Sequence, residues 1–380
     1  MKYIDEFRNK KIAQKIAGEI RRISSRRVNL MEVCGTHTVA IFKYGIRGMM
    51  PENIRLLSGP GCPVCVTPNR ILDKAIALAR QENVILAIFG DMLKVPGSSS
   101  SLEKERGEGG DIRIVYSTTE ALKIAEENPA RKVVFFAIGF ETTSPTIALS
   151  VLEAERRALK NYYILAAHKL IPPAMRALLQ KKGLRLDGFL CPGHVSTIIG
   201  SEPYQFIAEE YNLPAVIAGF EPLDVLQAIL MLVRQIEEGR PRAEIQYKRS
   251  VKKEGNPLAL KRISEVFEVT DSEWRGLGVV PRSGLRLRDR YKRYEAEGIL
   301  RKQVEKTASN PDCLCGEVLC GLKVPSECKL FAKTCTPEFP LGPCMVSSEG
   351  TCAAYYRYRG KIGEEKNYAQ KIAEIKNSSS

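Results

Sequence analysis

The two residues of this chain best suited to chemistry are Cys62 and Cys65, which lie in the segment 59–65, GPGCPVC. A C-x-x-C pair in a reducing compartment is either redox-active or half of a metal site. The flanking prolines and glycines restrict the backbone, so we expect the two sulfurs to be held at a set separation. The alternative is a pair of buried cysteines that only pack.

A third thiol, Cys34, comes directly after the apolar run 28–33 and precedes His37 by three residues. This spacing suits a single metal ion, or a thiolate that the imidazole activates. The alternative is a helix N-terminus at which Thr36 or Thr38 is the cap and Cys34 packs.

Two weaker candidates, Glu141 and His194, also follow apolar runs. Their position matters because ligands of open α/β sheets bind beyond the carboxyl ends of the strands. Glu141 is a candidate to capture a proton or to orient an imidazole, although a glutamate at such a place more often caps a helix. His194 is a candidate hydrogen-bonding group, with a purely structural histidine as the alternative.

The C-terminal part of the chain concentrates cysteines in a stretch that glycines and prolines interrupt. It carries seven thiols in forty residues, at Cys313, Cys315, Cys320, Cys328, Cys335, Cys344 and Cys352. Such a stretch has too few apolar residues to bury itself without an inorganic centre. Zinc sites usually show two short C-x-x-C knuckles, which are absent here, so a [4Fe-4S] cluster is the favoured prediction.

The elements that must position these residues follow a pattern of apolar run, glycine-rich turn and helical stretch, which occurs about eight times. Strands that alternate with helices predict right-handed crossovers and parallel sheets. The predicted fold class is α/β, with two similar parallel-sheet α/β domains and a third, cysteine-rich domain that holds an iron-sulfur cluster. The predicted limits are 28–128 for the first domain, 129–243 for the second, and 1–27 with 244–380 for the third.

Individual elements can be predicted as well. Apolar runs predict strands at 28–33, 54–57, 84–89, 112–116, 133–138, 162–167, 188–190 and 215–218. Helical stretches are predicted at 68–82, 119–127, 145–159 and 222–237, with an amphipathic N-terminal helix over 2–27 and a helical tail over 364–376. The polar, serine- and glycine-rich segment 96–110 predicts a mobile loop.

Composition indicates the compartment. The chain has 380 residues, of which 44% are hydrophobic and 27% charged, as in soluble globular proteins. Its longest apolar stretches fall well short of the roughly 18 residues that a membrane span requires, and no signal-peptide core follows Met1. We therefore expect a cytoplasmic protein with no membrane partner, in which eleven cysteines do not form a disulfide scaffold.

The net charge of +14 invites a nucleic-acid interpretation, which the distribution of charge argues against. Basic residues are spread along the whole chain. The densest stretch, 282–293, has Tyr291 as its only interleaved aromatic residue, and Tyr294 follows just after it. We expect no nucleic-acid partner. The C-x-x-x-C-x-x-C motif of radical-SAM enzymes and the phosphate-binding P-loop are also absent.

Taken together, the motifs resemble those of the HypD family, the maturation factors of [NiFe]-hydrogenases. The resemblance covers nearly the whole chain and rests on CGTHT at 34–38, GPGCPVC at 59–65, FAIGFETT at 136–143, PGHV at 192–195, and C-terminal cysteines separated by 14, 6 and 16 residues. It implies a cytoplasmic scaffold on which an Fe(CN)2(CO) group is assembled. It also implies a complex with a HypC-type small chaperone, a HypE-type cyanide donor, and transient contact with the hydrogenase maturation machinery.

The resemblance also implies roles for individual residues. The family's essential thiols fall on Cys34, Cys62 and Cys65, and its [4Fe-4S] ligands fall on Cys313, Cys328, Cys335 and Cys352. Cys315 and Cys344 are possible substitutes in that ligand set. As hypotheses, Cys34 is a ligand of the iron that carries cyanide and carbonyl, and Cys62 and Cys65 are a redox pair or further ligands. His37 is an acid/base group, or a group that supports the iron ligands without binding the iron.

Two other functions use the same cysteines. One is a freestanding iron-sulfur thiol-disulfide reductase, in which the cluster reduces Cys62 and Cys65 and these reduce a protein disulfide. The other is a zinc-stabilised interaction module without catalysis. The first differs from the scaffold in holding no iron outside the cluster, and metal analysis separates the second.

Overall fold

A computed structural model describes residues 5–301 and 304–358 of the chain. Its strands are β1 Val28–Glu32, β2 Ile54–Ser58, β3 Val84–Ile88, β4 Ile112–Ile114, β5 Lys132–Gly139, β6 Tyr162–His168, β7 Gly188–Pro192, β8 Ala215–Ala218, β9 Ala243–Ile245, β10 Phe267–Trp274 and β11 Gly278–Leu287. Short 3-10 helices lie at Asp5–Arg8, Gly90–Met92, Glu202–Tyr204, Asp289–Tyr294, Ala296–Ile299 and Pro325–Glu327.

The α-helices lie mostly between these strands. They are α1 Lys10–Ile23, α2 Gly35–Lys43, α3 Ile46–Met49, α4 Pro63–Val66, α5 Asn69–Ala79, α6 Leu102–Gly107, α7 Thr118–Glu127, α8 Ser144–Arg156, α9 Ile171–Leu179, α10 Gly193–Ile199, α11 Gln205–Tyr211, α12 Pro222–Glu238, α13 Pro257–Val266, α14 Cys315–Leu319, α15 Pro343–Val346 and α16 Thr351–Tyr358.

Two parallel sheets form the frame of the protein. The first sheet has the strand order β2-β1-β7-β8-β9 and the second has the order β4-β3-β5-β6, with every neighbouring pair parallel. The α/β fold class and all eight predicted strands are confirmed, each strand within two residues of its predicted limits. The strands were predictable because helices cover both faces of a parallel sheet, so their sequences are continuous apolar runs.

The sheets do not follow the sequential ranges 28–128 and 129–243. The chain forms β1 and β2, leaves to build the second sheet from β3 to β6, and returns to add β7, β8 and β9 to the first. The expectation of four consecutive strands in each half is therefore wrong. The domain limits as independently folding units stay a prediction.

Helices bury both faces of the second sheet. On one face, Ile85 and Phe135 pack with apolar residues of α7 and α8, including Leu122 and Val151. On the other face, residues of α5 and α9 pack against the same strands. The helices on both faces hold the strands in place, so the loops at the carboxyl ends of the strands start from a rigid sheet.

The N-terminal helix is shorter than the predicted 2–27. A 3-10 turn over Asp5–Arg8 precedes α1, which begins after Asn9. The Asn9 side-chain oxygen accepts hydrogen bonds from the N–H groups of Lys11 and Ile12 at 3.0 and 3.2 Å, so the sequence contains an N-cap within the predicted helix. Residues 1–4 and the predicted tail 364–376 lie outside the described residues.

The segment 96–110 is not the mobile loop that its composition predicts. It contains α6, whose N-cap Ser101 accepts a hydrogen bond from the Lys104 N–H at 3.3 Å. Leu102 is buried, and the buried carboxylate of Glu105 pairs with Arg80 at 2.8 Å. These contacts anchor a polar sequence that propensity alone assigns to a loop.

The chain after α13 contains an antiparallel hairpin and the cysteine-rich stretch. Strands β10 and β11 pair along their length, and the buried Trp274 donates its indole N–H to Ser283 at 2.8 Å. The tip of this hairpin reaches the segment that follows Cys65. None of the helices within 5–301 and 304–358 has the length and hydropathy to cross a membrane.

Candidate functional site

Cys34 lies where β1 ends and α2 begins. It is the N-cap residue of α2, and its own N–H donates to the buried Glu32 carboxyl group at 3.0 Å. The same carboxyl group accepts a hydrogen bond from the hydroxyl of Thr38, which closes the turn around the cysteine. Cys34 is 7% exposed, so its thiol at the end of β1 has little contact with solvent.

Burial controls the protonation of this turn. Desolvation, together with the negative charge of Glu349, raises the pKa of the Cys34 thiol to about 12, against the opposing effect of the N–H groups of His37 and Thr36. Desolvation likewise raises the pKa of Glu32 to about 8. At neutral pH Cys34 is therefore a neutral thiol, which a metal ion must deprotonate on binding.

The C-x-x-C loop lies directly against Cys34. The Gly61 carbonyl accepts a hydrogen bond from the Gly35 N–H at 3.0 Å. A Cβ on Gly61 would stand 2.2 Å from the Cys34 nitrogen, so only glycine permits this approach. Gly61 therefore allows the loop to bring Cys62 and Cys65 to the same site as Cys34.

Cys62 and Cys65 are free thiols at the two ends of one helical turn. Cys62 is the N-cap of α4, and its sulfur accepts a hydrogen bond from the Cys65 N–H at 3.3 Å. Cys62 is 3% exposed and Cys65 is 0% exposed. Desolvation raises the pKa of Cys65 well above its ordinary value.

His37, in the first turn of α2, is oriented by the first sheet. Its Nε2 lies 2.9 Å from the Gly219 carbonyl oxygen and 3.2 Å from that of Ala218, so Nε2 carries the proton that it donates. The other nitrogen, Nδ1, is buried and has no partner among the described residues. Desolvation lowers the pKa of His37 to about 4, so the ring is neutral at pH 7 and Nδ1 carries an unprotonated lone pair.

His194 joins His37 through an aromatic ring that the sequence analysis did not select. Phe220 stacks on His194 with ring centroids 3.9 Å apart and on His37 with centroids 4.9 Å apart. Tyr247 packs edge-on against the same phenylalanine at 5.8 Å. The only signal in the sequence was the repeated phrase Gly-Phe-Glu, at Gly139 and at Gly219.

Glu349 is the second residue that sequence reasoning missed. It comes from the cysteine-rich part, yet its carboxylate accepts the Thr36 hydroxyl at 2.6 Å. A Cβ on Gly35 would stand 2.5 Å from the Glu349 Cβ, so the two segments are in close contact. Its negative charge adds to desolvation in raising the pKa of Cys34, whereas at His194 it opposes the desolvation that lowers the pKa.

Glu141 is placed differently from the other candidates. It follows β5 in the second sheet, and its Oε1 accepts the Ile171 N–H at 2.9 Å at the start of α9. No hydrogen bond or ion pair within the described ranges joins it to Cys34, His37 or the C-x-x-C pair. Desolvation raises its pKa to about 7, and its Oε2 is buried without a partner in the described part of the chain.

The cysteine-rich stretch converges on one small cavity. Six of its seven thiol-bearing residues line a space of about 20 Å³, namely Cys313, Cys315, Cys328, Cys335, Cys344 and Cys352. The seventh, Cys320, instead donates its S–H to the Gly276 carbonyl at 3.3 Å. The six cavity cysteines are the residues that could hold an iron-sulfur cluster.

The donors around this cavity are all thiols, which are the ligands of iron-sulfur clusters. No three His, Cys, Asp or Glu side chains in 5–301 or 304–358 are grouped so that they could hold one metal ion. Tetrahedral zinc requires its donors at about 2.0–2.3 Å from one point, whereas each thiolate of a cubane binds a different iron atom. The donor type therefore fits a cluster.

The cavity is continuous with the C-x-x-C pair through sulfur contacts. The Cys65 thiol lies 3.9 Å from the carbonyl oxygen of Pro343, and the thiols of Cys65, Cys315 and Cys352 lie close enough to Cys344 to shift its pKa, as Cys313 does for Cys315. Together with the close approach of Gly61 to Cys34, these contacts link the first loop to the C-terminal thiols. The eleven cysteines are all free in the described part of the chain.

Comparison with known proteins gives this site a context. A sequence model of the family described as "HypD: Hydrogenase formation hypA family" matches residues 9–359. The chain belongs to the HypD family of hydrogenase maturation factors. It is 51% identical over 368 residues to the hydrogenase maturation factor HypD2 of Bradyrhizobium diazoefficiens, covering 94% of this chain and 97% of that protein.

Other HypD proteins are similarly close. The hydrogenase maturation factor HypD of Cupriavidus necator is 49% identical over 94% of this chain and 97% of its own length. That of Escherichia coli is 45% identical over 96% of this chain and 100% of its own length. The protein is thus a hydrogenase maturation factor, a role that implies work alongside other maturation proteins.

Proposed function

We propose that the protein is the scaffold on which the Fe(CN)2(CO) group of [NiFe]-hydrogenases is assembled, in a cytoplasmic complex with a HypC-type chaperone. A HypE-type protein supplies cyanide in this scheme. The observation that carries the proposal is the gathering of Cys34, His37, Cys62 and Cys65 at one site that sulfur contacts extend to the C-terminal thiols.

Cys34 is proposed as the protein's ligand to the cargo iron. It lies at a helix N-terminus, which favours a thiolate once the proton has left. Because no three potential ligands in the described ranges are grouped around one point, the iron takes its remaining ligands from cyanide, carbonyl and the chaperone. Neutral His37, with a free lone pair on Nδ1, is the proposed acceptor for a proton released at the site.

Cys62 and Cys65 are proposed as the redox pair that serves this iron. Cys313, Cys328, Cys335 and Cys352 are the proposed ligands of a [4Fe-4S] cluster, which supplies single electrons when bound. Cys344 then lies between the cluster ligands and Cys65, in contact with both. Two electrons and two protons interconvert the pair and its disulfide.

The geometry favours this scaffold over a freestanding thiol-disulfide reductase. A thiol that attacks a protein disulfide must be reachable by its partner. Cys62 is 3% exposed and Cys65 is 0% exposed. Buried thiols beside Cys34 suit an internal exchange of electrons.

Iron analysis of the anaerobically purified protein tests the proposal. The protein bound to its HypC-type partner is expected to hold iron in excess of the acid-labile sulfide of the cluster. Cys34→Ala should remove that excess and leave the cluster iron, sulfide and visible absorbance unchanged. Equal iron and sulfide in the wild-type complex, with the cluster intact, would contradict the proposal and favour the disulfide reductase.

A further inference from the structure

The tip of the β10–β11 hairpin is fixed between the C-x-x-C segment and the cysteine-rich part. The backbone N–H of Arg275 donates to the Val66 carbonyl at 2.9 Å. The neighbouring Gly276 carbonyl accepts Lys181 Nζ at 2.9 Å and the Cys320 thiol at 3.3 Å. The position of Arg275 is therefore set by contacts on both sides.

The Arg275 guanidinium binds the residues that follow Cys65. Its Nε donates to the Cys65 carbonyl at 3.1 Å, and one Nη donates to the Thr67 carbonyl at 2.7 Å and to the Asn69 side-chain oxygen at 2.8 Å. Helix α4 is a single turn, so the carbonyls at its end have no helical partner of their own. One planar, permanently charged group satisfies them together.

The same tip touches the segment that carries Cys315. Gly276 has φ +84°, and a Cβ on it would stand 2.3 Å from the Gly316 carbonyl oxygen. Gly316 follows Cys315 directly, at the start of α14. Arg275 and Gly276 thus hold the turn after Cys65 and the backbone beside Cys315 against one another.

We propose that Arg275 is a positioning residue for the Cys62–Cys65 pair, whose guanidinium fixes the turn after Cys65 and thereby sets the reduction potential of the pair. The proposal rests on the redox role proposed above for this pair. It concerns a residue of the hairpin, more than 200 positions further along the chain than the thiols.

The direction of the expected shift in reduction potential follows from the redox state in which the Arg275 contacts are present. The described state is the dithiol, in which the Cys62 sulfur accepts the Cys65 N–H. Removing the guanidinium releases the three acceptors that hold the turn in its dithiol form, which weakens the dithiol relative to the disulfide. Arg275→Gln should therefore make the pair about tenfold easier to oxidise, a shift of about 30 mV for this two-electron couple.

The test equilibrates the full-length protein, anaerobically, with buffers of glutathione and glutathione disulfide. Oxidation forms the Cys62–Cys65 bond and releases two glutathione thiols, so atoms and electrons balance. Alkylation of the remaining thiols and mass analysis of the peptide with Cys62 and Cys65 give the equilibrium constant. Arg70→Gln is the matched control, because Arg70 contacts the same hairpin at Glu273, at 3.2 Å, without touching the C-x-x-C segment.

Arg275→Lys completes the series because it keeps the positive charge and loses the planar guanidinium with its several N–H donors. It should shift the equilibrium constant in the same direction as Arg275→Gln, and it carries the test alone if the glutamine variant does not fold. A wild-type constant in either variant that folds, or an equal shift in Arg70→Gln, would overturn the proposal. If the wild-type pair forms no disulfide at any glutathione ratio, the redox role itself is wrong.

Discussion

At the scale of single residues, burial decides which groups near the candidate site are charged. Desolvation keeps the Cys34 thiol protonated and His37 neutral at pH 7, which is the reverse of an ion pair between them. The spacing predicted one site for the two residues, and the structure has both of them at the start of α2. The spacing could not show that His37 directs its Nε2 to two backbone carbonyls, because those carbonyls come from β8 and its loop.

Glu141 gives a prediction about pH at this scale. Its pKa rises from 4.5 to about 7 on folding, so the folded protein holds a proton that the unfolded chain has released between these values. The free energy of unfolding should therefore fall as pH rises from 4.5 to 7, by about 3 kcal/mol from this residue. Urea unfolding of the wild type and Glu141→Gln across this range measures it.

In Glu141→Gln this part of the pH slope should disappear. The exposed Glu209→Gln is the control and should keep the wild-type slope. An unchanged slope in Glu141→Gln would mean that Glu141 is ionised in the folded protein and that its free Oε2 has found a partner.

At the scale of elements, close contacts between loops assemble the site. Each strand was visible in the sequence because it is a continuous apolar run, but the runs are alike and do not specify their neighbours. The pairing of β1 with β7 therefore depends on packing that is distant in sequence. The same reason hides Glu349, which meets Thr36 across 313 positions.

Gly61 provides the test at this scale. Gly61→Ala places a Cβ 2.2 Å from the Cys34 nitrogen, in backbone that has no room to yield. It should lower the free energy of unfolding by about 1–3 kcal/mol and remove the iron in excess of the cluster. Urea unfolding and iron analysis measure the two effects.

Gly18→Ala is the matched control, because a Cβ there meets nothing within 4 Å on the exposed side of α1. It should raise the free energy of unfolding by about 0.5–1 kcal/mol and leave the iron content unchanged. Retention of the excess iron in a folded Gly61→Ala protein would show that the close approach of the two loops is dispensable.

At the scale of the whole molecule, the cysteine-rich part is joined to the loops that follow β1 and β2 of the first sheet. Glu349 contacts the first loop, and Cys344 contacts Cys65, while the hairpin tip holds the turn after Cys65. The sequence predicted the cluster of thiols but not their order in space. The resemblance implies four ligands, whereas the cavity has six cysteines on its walls.

The Cys344→Ser variant tests whether Cys344 is a ligand of the cluster or only lies beside the ligands in this cavity. If Cys344 only links the cluster to Cys65, the variant should keep the visible absorbance and sulfide of the cluster and lose reduction of the Cys62–Cys65 disulfide by dithionite-reduced cluster. Cys335→Ser should lose the cluster, and Cys320→Ser, which lies outside the cavity, should retain both properties. Loss of the cluster in Cys344→Ser would instead make Cys344 a ligand.

The most direct test of the scaffold is an infrared spectrum of the protein purified anaerobically with its HypC-type partner. Stretching bands of metal-bound cyanide and carbonyl are predicted for the wild type and for Cys320→Ala, which removes a thiol that contacts the Gly276 carbonyl and does not line the cysteine cavity. The bands should vanish in Cys34→Ala while the cluster absorbance persists. Bands that survive in Cys34→Ala, or that are missing from a wild-type complex with an intact cluster, would contradict the account.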